Sequence, residues 1–143
     1  MPEATVAAVI IGVDGSGTKV LLTRRSIEPF EGRWCLPGGH IDRYEPARES
    51  IVREAREETG LDFDARFFGC FDEIIPSHNI HAVVIAFEGC ASGRLNASVY
   101  EVSDVGWFSL DEARSLPLAF THNEILDTFA ARMAKTDLDE SRS

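Results

Sequence analysis

Residues 39–61 have the sequence GHIDRYEPARESIVREAREETGL, which contains the start, the body and the end of one helix. Pro46 suits the first helical position, because its missing N–H has no intrahelical partner to lose there. Gly60 suits the left-handed residue that ends a helix. The stretch therefore predicts a helix from about Pro46 to Thr59.

Three glutamates of this helix are predicted to lie together. At roughly 100° per residue, Glu54, Glu57 and Glu58 share one flank. The apolar stripe beside that flank comprises Ile51, Val52, Ala55 and Thr59. Partial burial of like charges is costly, and a divalent cation removes the cost. Carboxylates suit a hard ion, Mg²⁺ or alternatively Mn²⁺, and Mg²⁺ is commonly also bound by substrate phosphates. The flank therefore predicts a metal site for a phosphate-containing substrate.

A helix rich in Glu and Arg also suits an ordinary solvated face, held by pairs such as Glu49 with Arg53. The spacing of the whole stretch favours the metal site instead. The positions that carry this pattern are Gly39, Glu45, Arg53, Glu54, Glu57, Glu58, Gly60 and the apolar Leu61. They match the Nudix box at every specified position, so the chain resembles the Nudix hydrolases.

The resemblance implies an α+β fold, a Nudix-type α/β/α sandwich with a mixed β-sheet between helices. We expect one domain over residues 1–143, with an ordered core at about 5–135 and a flexible tail at 136–143.

Local patterns are compatible with this fold. Strands are predicted at 6–13 and 19–23, at 67–75 and 80–87, and at 106–108. Ser109 with Glu112, and Thr121 with Glu124, fit capping boxes. They predict a short helix and a second helix that ends near Lys135.

The resemblance also implies the chemistry, which is attack of water on one phosphorus of a pyrophosphate in a nucleoside diphosphate linked to another group. The Gly39 carbonyl, Glu54, Glu57 and Glu58 would bind the metal ion, and Arg53 would orient the carboxylates. The metal lowers the pKa of water and neutralises charge as the bond breaks. Either Glu54 or Glu58 is the candidate to accept the proton of the water.

Other candidate site residues lie outside the box. In several Nudix groups a further acid comes from a later loop, and Glu101 is the candidate here, with Asp104 as its competitor. Arg24 and Arg25 end a predicted strand before the box, where a guanidinium can reach phosphate oxygens. Their alternative is a surface pair. His78 is given no role.

The segments IEPFEGRW at 27–34 and LAFTHNEIL at 118–126 look similar to short ADP-ribose pyrophosphatases. A Leu-Ala-Phe-Asp-His run is frequent in that group, and this chain has Thr121 in place of the Asp. Phe30, Trp34 and Phe120 are candidates to stack on a base, with a core role as the alternative. Asn123 favours a rival class, because an amide offers the donor and the acceptor that a purine edge requires.

Composition limits the remaining possibilities. The chain has 143 residues, a formal net charge of −10 and three cysteines without metal-type spacing. We therefore expect a cytoplasmic protein with reduced thiols, and no nucleic-acid or membrane partner. The expected partner is a small nucleoside diphosphate or triphosphate, and the resemblance also allows a homodimer.

The predicted function is Mg²⁺-dependent pyrophosphohydrolysis, with ADP-ribose cleaved to AMP and ribose 5-phosphate. One alternative is a nucleoside triphosphate pyrophosphohydrolase of the oxidised purine type, which releases pyrophosphate. The other is a Nudix-like sensor that binds nucleotides without cleaving them.

Overall fold

The computed structural model describes residues 1–96 and 101–142, which form nine strands and three α-helices. The strands are β1 (Glu3–Asp14), β2 (Gly17–Arg25), β3 (Trp34–Cys35), β4 (Gly38–His40), β5 (Leu61–Phe63), β6 (Arg66–Ile75), β7 (Ile80–Gly89), β8 (Ala91–Gly93) and β9 (Val102–Ser109). The helices are α1 (Ala47–Thr59), α2 (Leu110–Ser115) and α3 (His122–Arg142), and a 3₁₀ turn covers Pro76–His78. No helix in the described residues is long and apolar enough to cross a membrane.

Seven of the strands form one mixed sheet. Its main path runs β3-β2-β1-β7-β6, while β4 pairs with β1 and β9 pairs with β2. The central pair, β1 and β7, is parallel, and the pairs around it are antiparallel. Strands β5 and β8 form a separate two-stranded antiparallel sheet. The predicted mixed sheet is confirmed.

The buried residues of β1 alternate between two cores. Val6, Ala8 and Ile10 pack in a cluster with Ile51 and Ala55 of α1. The intervening residues of β1 pack in a second cluster with side chains of α2 and α3, which include Ala113, Ile125, Leu126 and Phe129. Because successive side chains of a strand point to opposite faces, α1 covers one face and α2 and α3 cover the other. The predicted α/β/α sandwich is confirmed.

Helix α1 follows the prediction within one residue. Pro46 is its N-cap, and the Pro46 carbonyl accepts the N–H of Ser50 at 2.9 Å. Gly60 ends the helix at φ 78°, and its N–H donates to the Arg56 carbonyl at 2.9 Å. This left-handed conformation costs glycine little, because glycine has no Cβ. The box residues are therefore held on a regular helix.

The later elements give one confirmation and two corrections. The hydroxyl of Ser109 accepts the N–H of Glu112 at 3.1 Å, so the predicted cap of α2 is confirmed. The predicted side-chain cap at Thr121 is wrong, because the N–H of Glu124 donates to the backbone carbonyl of Thr121 at 3.0 Å, and the Thr121 hydroxyl donates to Glu73 at 2.9 Å. Helix α3 also continues to Arg142 rather than ending near Lys135, since residues 136–142 include no proline or glycine to stop it.

Candidate active site

Arg53 organises the acidic side of α1. Its guanidinium donates two hydrogen bonds to the carboxylate of Glu45, at 2.8 and 3.0 Å. Nη1 of Arg53 also lies 3.2 Å from Glu54 and 3.2 Å from Glu57. The two hydrogen bonds from Arg53 hold the pKa of Glu45 down at about 2. One arginine therefore sets the positions of three carboxylates around it, and Glu45 also accepts the N–H of Asp42 in the preceding loop.

The structure does not bring Glu54, Glu57 and Glu58 to a single point. The Glu57 side chain is 48% exposed and turns toward Arg53, which lies one helical turn away and attracts it. Glu54 and Glu58 instead face a cavity together with Gly39. Among residues 1–96 and 101–142, no three His, Cys, Asp or Glu side chains are grouped closely enough to hold a metal ion as they stand.

The two carboxylates at the cavity carry poorly compensated charge. Loss of water contact raises the pKa of Glu58 to about 8, and the charges of Glu54 and Glu101 add to the rise. Loss of water contact likewise raises the pKa of Glu54 to about 7, opposed mainly by Arg53. One oxygen of Glu58 accepts the N–H of Gly38 at 2.8 Å, which fixes this carboxylate against the glycine loop. Like charges in a partly desolvated site favour either protonation or a bound cation.

The glycine loop lies directly against these carboxylates. Strand β4 pairs with β1, where Gly39 is opposite Val6. A Cβ on Gly39 would lie 2.7 Å from Oε1 of Glu54, a distance that real Cβ atoms do not reach. The backbone at Gly39 and the Glu54 carboxylate can approach this closely only because residue 39 has no side chain.

These residues fit a hard divalent cation such as Mg²⁺ or Mn²⁺. The donors available at the cavity are carboxylate oxygens of Glu54, Glu58 and Glu101 and the adjacent backbone of Gly39. Oxygen donors of this type suit Mg²⁺, which keeps several waters and needs few protein ligands. Burial raises the pKa values of Glu54 and Glu58, so their ionised forms are poorly solvated here and a bound cation would stabilise them.

The cavity has a volume of about 560 Å³ and extends from the acidic residues to an aromatic wall. His78 and Phe120 belong to that wall. Phe30 does not line the cavity itself but packs on both of them, since its ring stacks on His78 with centroids 4.4 Å apart and is T-shaped to Phe120 at 5.2 Å. The guanidinium of Arg25 lies 4.8 Å from the centre of the Phe120 ring. The cavity therefore combines an anionic end with an aromatic end that carries one arginine.

Of the other predicted residues, Glu101 lines the cavity and its charge acts on both Glu54 and Glu58. Its backbone carbonyl accepts the N–H of Ser26 at 3.0 Å, which ties the start of β9 to the end of β2. The predicted competitor, Asp104, does not line the cavity and accepts the N–H of Val105.

Four of the predicted substrate-binding residues do not line the cavity: Arg24, Phe30, Trp34 and Asn123. Arg24 is exposed and donates to the Gly32 carbonyl at 3.0 Å. Trp34 packs edge-on against Phe108 at 4.8 Å. The amide of Asn123 holds the turn before α3, since it accepts from Leu118 N and donates to the Leu116 carbonyl. Its donor and acceptor are thus both used by backbone groups.

Two buried residues of the cavity were not predicted as site residues. Glu73 is a carboxylate on β6, and His122 begins α3 and accepts the N–H of Leu36 through Nδ1 at 3.0 Å. The sequence does contain a signal for Glu73. It lies two residues from both Phe71 and Ile75, and therefore on the same face of a strand whose inward positions are otherwise apolar. His78, to which no role was given, is also part of the lining.

Comparison with known proteins identifies the family of this chain. A family model described as "NUDIX domain" matches residues 2–129. ADP-ribose pyrophosphatase from Methanocaldococcus jannaschii is 31% identical over 126 residues, which cover 86% of this chain and 72% of that relative. CTP pyrophosphohydrolase from Escherichia coli is 30% identical over an alignment of 150 residues, which covers 97% of this chain and 100% of the relative.

A solved structure is similar over nearly the whole chain. It is the NUDIX domain of Shewanella oneidensis NrtR complexed with ADP ribose, with a TM-score of 0.84 and 27% identity, covering 93% of this chain and 89% of that one. The chain belongs to the Nudix family. It is a Nudix pyrophosphohydrolase, an enzyme that acts on phosphoric anhydride bonds.

Proposed function

We propose that this enzyme cleaves ADP-ribose to AMP and ribose 5-phosphate with Mg²⁺ at the acidic end of the cavity, Mn²⁺ being the alternative ion. The observation that carries the proposal is the pairing of anionic and aromatic ends within one cavity of about 560 Å³, which is ample for a nucleotide. The relative from Methanocaldococcus jannaschii is an ADP-ribose pyrophosphatase, and the similar NrtR domain holds ADP ribose. Both support this choice of substrate.

The acidic end performs the hydrolysis in this proposal. Glu54, Glu58 and the Gly39 backbone would hold the metal ion, with Glu101 as a further ligand or base, whereas Glu57 is held by Arg53 outside the cavity lining. When bound, the ion would lower the pKa of a water molecule and neutralise charge on the phosphate oxygens. Glu54 or Glu58 accepts the proton of the water that attacks one phosphorus of the pyrophosphate. Gly38 keeps Glu58 in place by its N–H.

The remaining residues of the cavity bind the nucleotide. Arg25 is fixed by a hydrogen bond from Nε to the Pro29 carbonyl at 2.6 Å, so that its charge is available to phosphate oxygens. Phe120 offers its ring to the base, and Phe30 packs against Phe120. Arg53 acts through the carboxylates that it positions, rather than on the substrate.

A second candidate is the nucleoside triphosphate pyrophosphohydrolase. The similarity to CTP pyrophosphohydrolase covers the whole of that relative and favours this alternative. The non-catalytic sensor is a third candidate, because the similar NrtR structure is a domain in complex with ADP ribose.

A hydrolysis panel distinguishes the three. It includes ADP-ribose, other nucleoside diphosphate sugars, CTP and normal or oxidised purine triphosphates, each with Mg²⁺ and with chelator, and the products are separated by chromatography. AMP with ribose 5-phosphate as the fastest reaction supports the proposal. Preferred release of pyrophosphate from a triphosphate supports the second candidate, and tight binding without any turnover supports the sensor.

The role of the carboxylates is tested by Glu58→Gln, which is expected to lower turnover by about two orders of magnitude or more with the fold intact. The matched control is Glu49→Gln, an exposed acid in the first turn of the same helix. Turnover is measured on the best substrate of the panel, and circular dichroism checks the fold. Near-normal turnover of Glu58→Gln would contradict the assignment of this carboxylate.

A further inference from the structure

Glu73 places a carboxylate deep in the aromatic end of the cavity. It lies on β6 opposite Ala82 of β7, and the residue is 4% exposed. Both Glu73 and Ala82 line the cavity, together with His78 and Phe120. A buried acid is rare in proteins, because a charged group loses water contacts that something else must replace.

The contacts of Glu73 replace only part of that hydration. Its Oε2 accepts the hydroxyl of Thr121 at 2.9 Å and the N–H of Thr121 at 3.3 Å. Thr121 immediately precedes α3, whose N-terminus favours negative charge. Within the described residues, no Lys, Arg or His side chain forms an ion pair with Glu73. Both hydrogen bonds that this carboxylate accepts from Thr121 go to Oε2 and leave Oε1 aside. One oxygen is thus anchored, and the other is available as an acceptor at the cavity wall.

The residue at position 121 is matched to this arrangement. Thr121 supplies a hydroxyl donor to Glu73. An Asp at the same position would put a second carboxylate against a buried one. The Thr121 hydroxyl therefore helps to hold Glu73 in the cavity wall.

We propose that Glu73 recognises the exocyclic amino group of the nucleobase. An ionised carboxylate only accepts hydrogen bonds, so it suits the amino group on C6 of adenine or on C4 of cytosine. A carbonyl oxygen at the same place, as in hypoxanthine or uracil, would meet it acceptor to acceptor. Phe120, adjacent to Thr121 in the chain, provides the apolar surface beside the base. This inference rests on the proposed function only in that the aromatic end receives the base.

The test uses equilibrium binding to the full chain, so that it does not depend on hydrolysis. Isothermal titration calorimetry compares AMP with IMP and CMP with UMP, because the members of each pair differ at the amino position. The amino member of at least one pair is expected to bind about tenfold to a hundredfold more tightly, as for one hydrogen bond to a charged group. Glu73→Gln should reduce this ratio toward one, since an amide offers both a donor and an acceptor.

The matched control is Asp72→Asn, which removes the same charge from the neighbouring residue on the exposed face of β6 and should leave the ratio unchanged. If Glu73→Gln does not fold, Glu73→Asp keeps the charge, withdraws the carboxylate by one methylene group and should lower the ratio. Equal affinities within both pairs, no binding of any of the four nucleotides, or an unchanged ratio in the folded Glu73 variant would overturn the inference. An intact amino preference without hydrolysis of ADP-ribose would refute the proposed reaction alone.

Discussion

His122 provides a prediction about the dependence of stability on pH. Its imidazole is buried, and burial, with a smaller contribution from the charge of Arg25, lowers its pKa from 6.5 to about 3. The unfolded chain therefore binds a proton at this residue in a range where the folded chain does not. Proton uptake by the unfolded chain destabilises the folded protein. The contribution of the neutral His122 to stability is therefore fully present above about pH 6.5 and is lost progressively as the pH falls toward 3.

The size of the loss follows from the two pKa values. One pKa unit corresponds to about 1.4 kcal/mol, and the unfolded imidazole takes up its proton over about 1.5 units between pH 6.5 and pH 5. His122 should therefore cost the protein about 2 kcal/mol of unfolding free energy between pH 7 and pH 5. Glu54 and Glu58 have raised pKa values and act with the opposite sign in this range, so the wild-type protein alone does not isolate the effect.

The variant His122→Asn isolates it, because the Asn carbonyl oxygen can accept the N–H of Leu36 and does not titrate. Both proteins are unfolded with urea at pH 7 and at pH 5, in the presence of a chelator. The advantage of the wild type over the variant is expected to be about 2 kcal/mol smaller at pH 5, while the carboxylate contributions cancel. An advantage of the same size at the two pH values would refute the reasoning.

Two further substitutions test close contacts. Gly39→Ala places a Cβ 2.7 Å from Glu54 and should displace this carboxylate. Steady-state kinetics should show turnover lowered by about tenfold or more, which corresponds to a rise of about 1.4 kcal/mol in the activation free energy. Unchanged turnover would show that the Glu54 carboxylate can move away freely. Thr121→Asp removes the donor to Glu73 and adds a second carboxylate beside it, so urea unfolding should show a loss of about 1–3 kcal/mol. Thr121→Ser keeps the hydroxyl and should lose less, and equal losses in the two variants would contradict the role of this hydrogen bond.

The parts of the fold that the sequence predicts are those encoded by neighbouring residues. The limits of α1 depend on Pro46 and Gly60, each of which acts on its own backbone, and the cap at Ser109 involves a residue three positions away. The cap at Thr121 was wrong for the opposite reason, because the partner of its hydroxyl lies 48 positions earlier on β6. A capping pattern cannot include a partner that tertiary packing supplies.

The candidate site divides in the same way. Helical spacing puts Glu54, Glu57 and Glu58 on one flank, and Glu54 and Glu58 line the cavity. The spacing does not account for Arg53, which turns Glu57 outward. At Asn123, donor and acceptor are used by the turn that precedes α3, a contact that no local pattern describes. Residue type alone therefore identifies which groups are capable of the chemistry, whereas packing decides which of them reach the cavity.

The hydrogen bond between Leu36 and His122 determines at which stage of synthesis the glycine loop can be supported. It joins positions 86 residues apart, and it connects the segment before the glycine loop to the first turn of α3. During synthesis from the N-terminus, the loop that approaches Glu54 can gain this support only after α3 has left the ribosome. The acidic residues of α1 are therefore translated well before the site that contains them is complete.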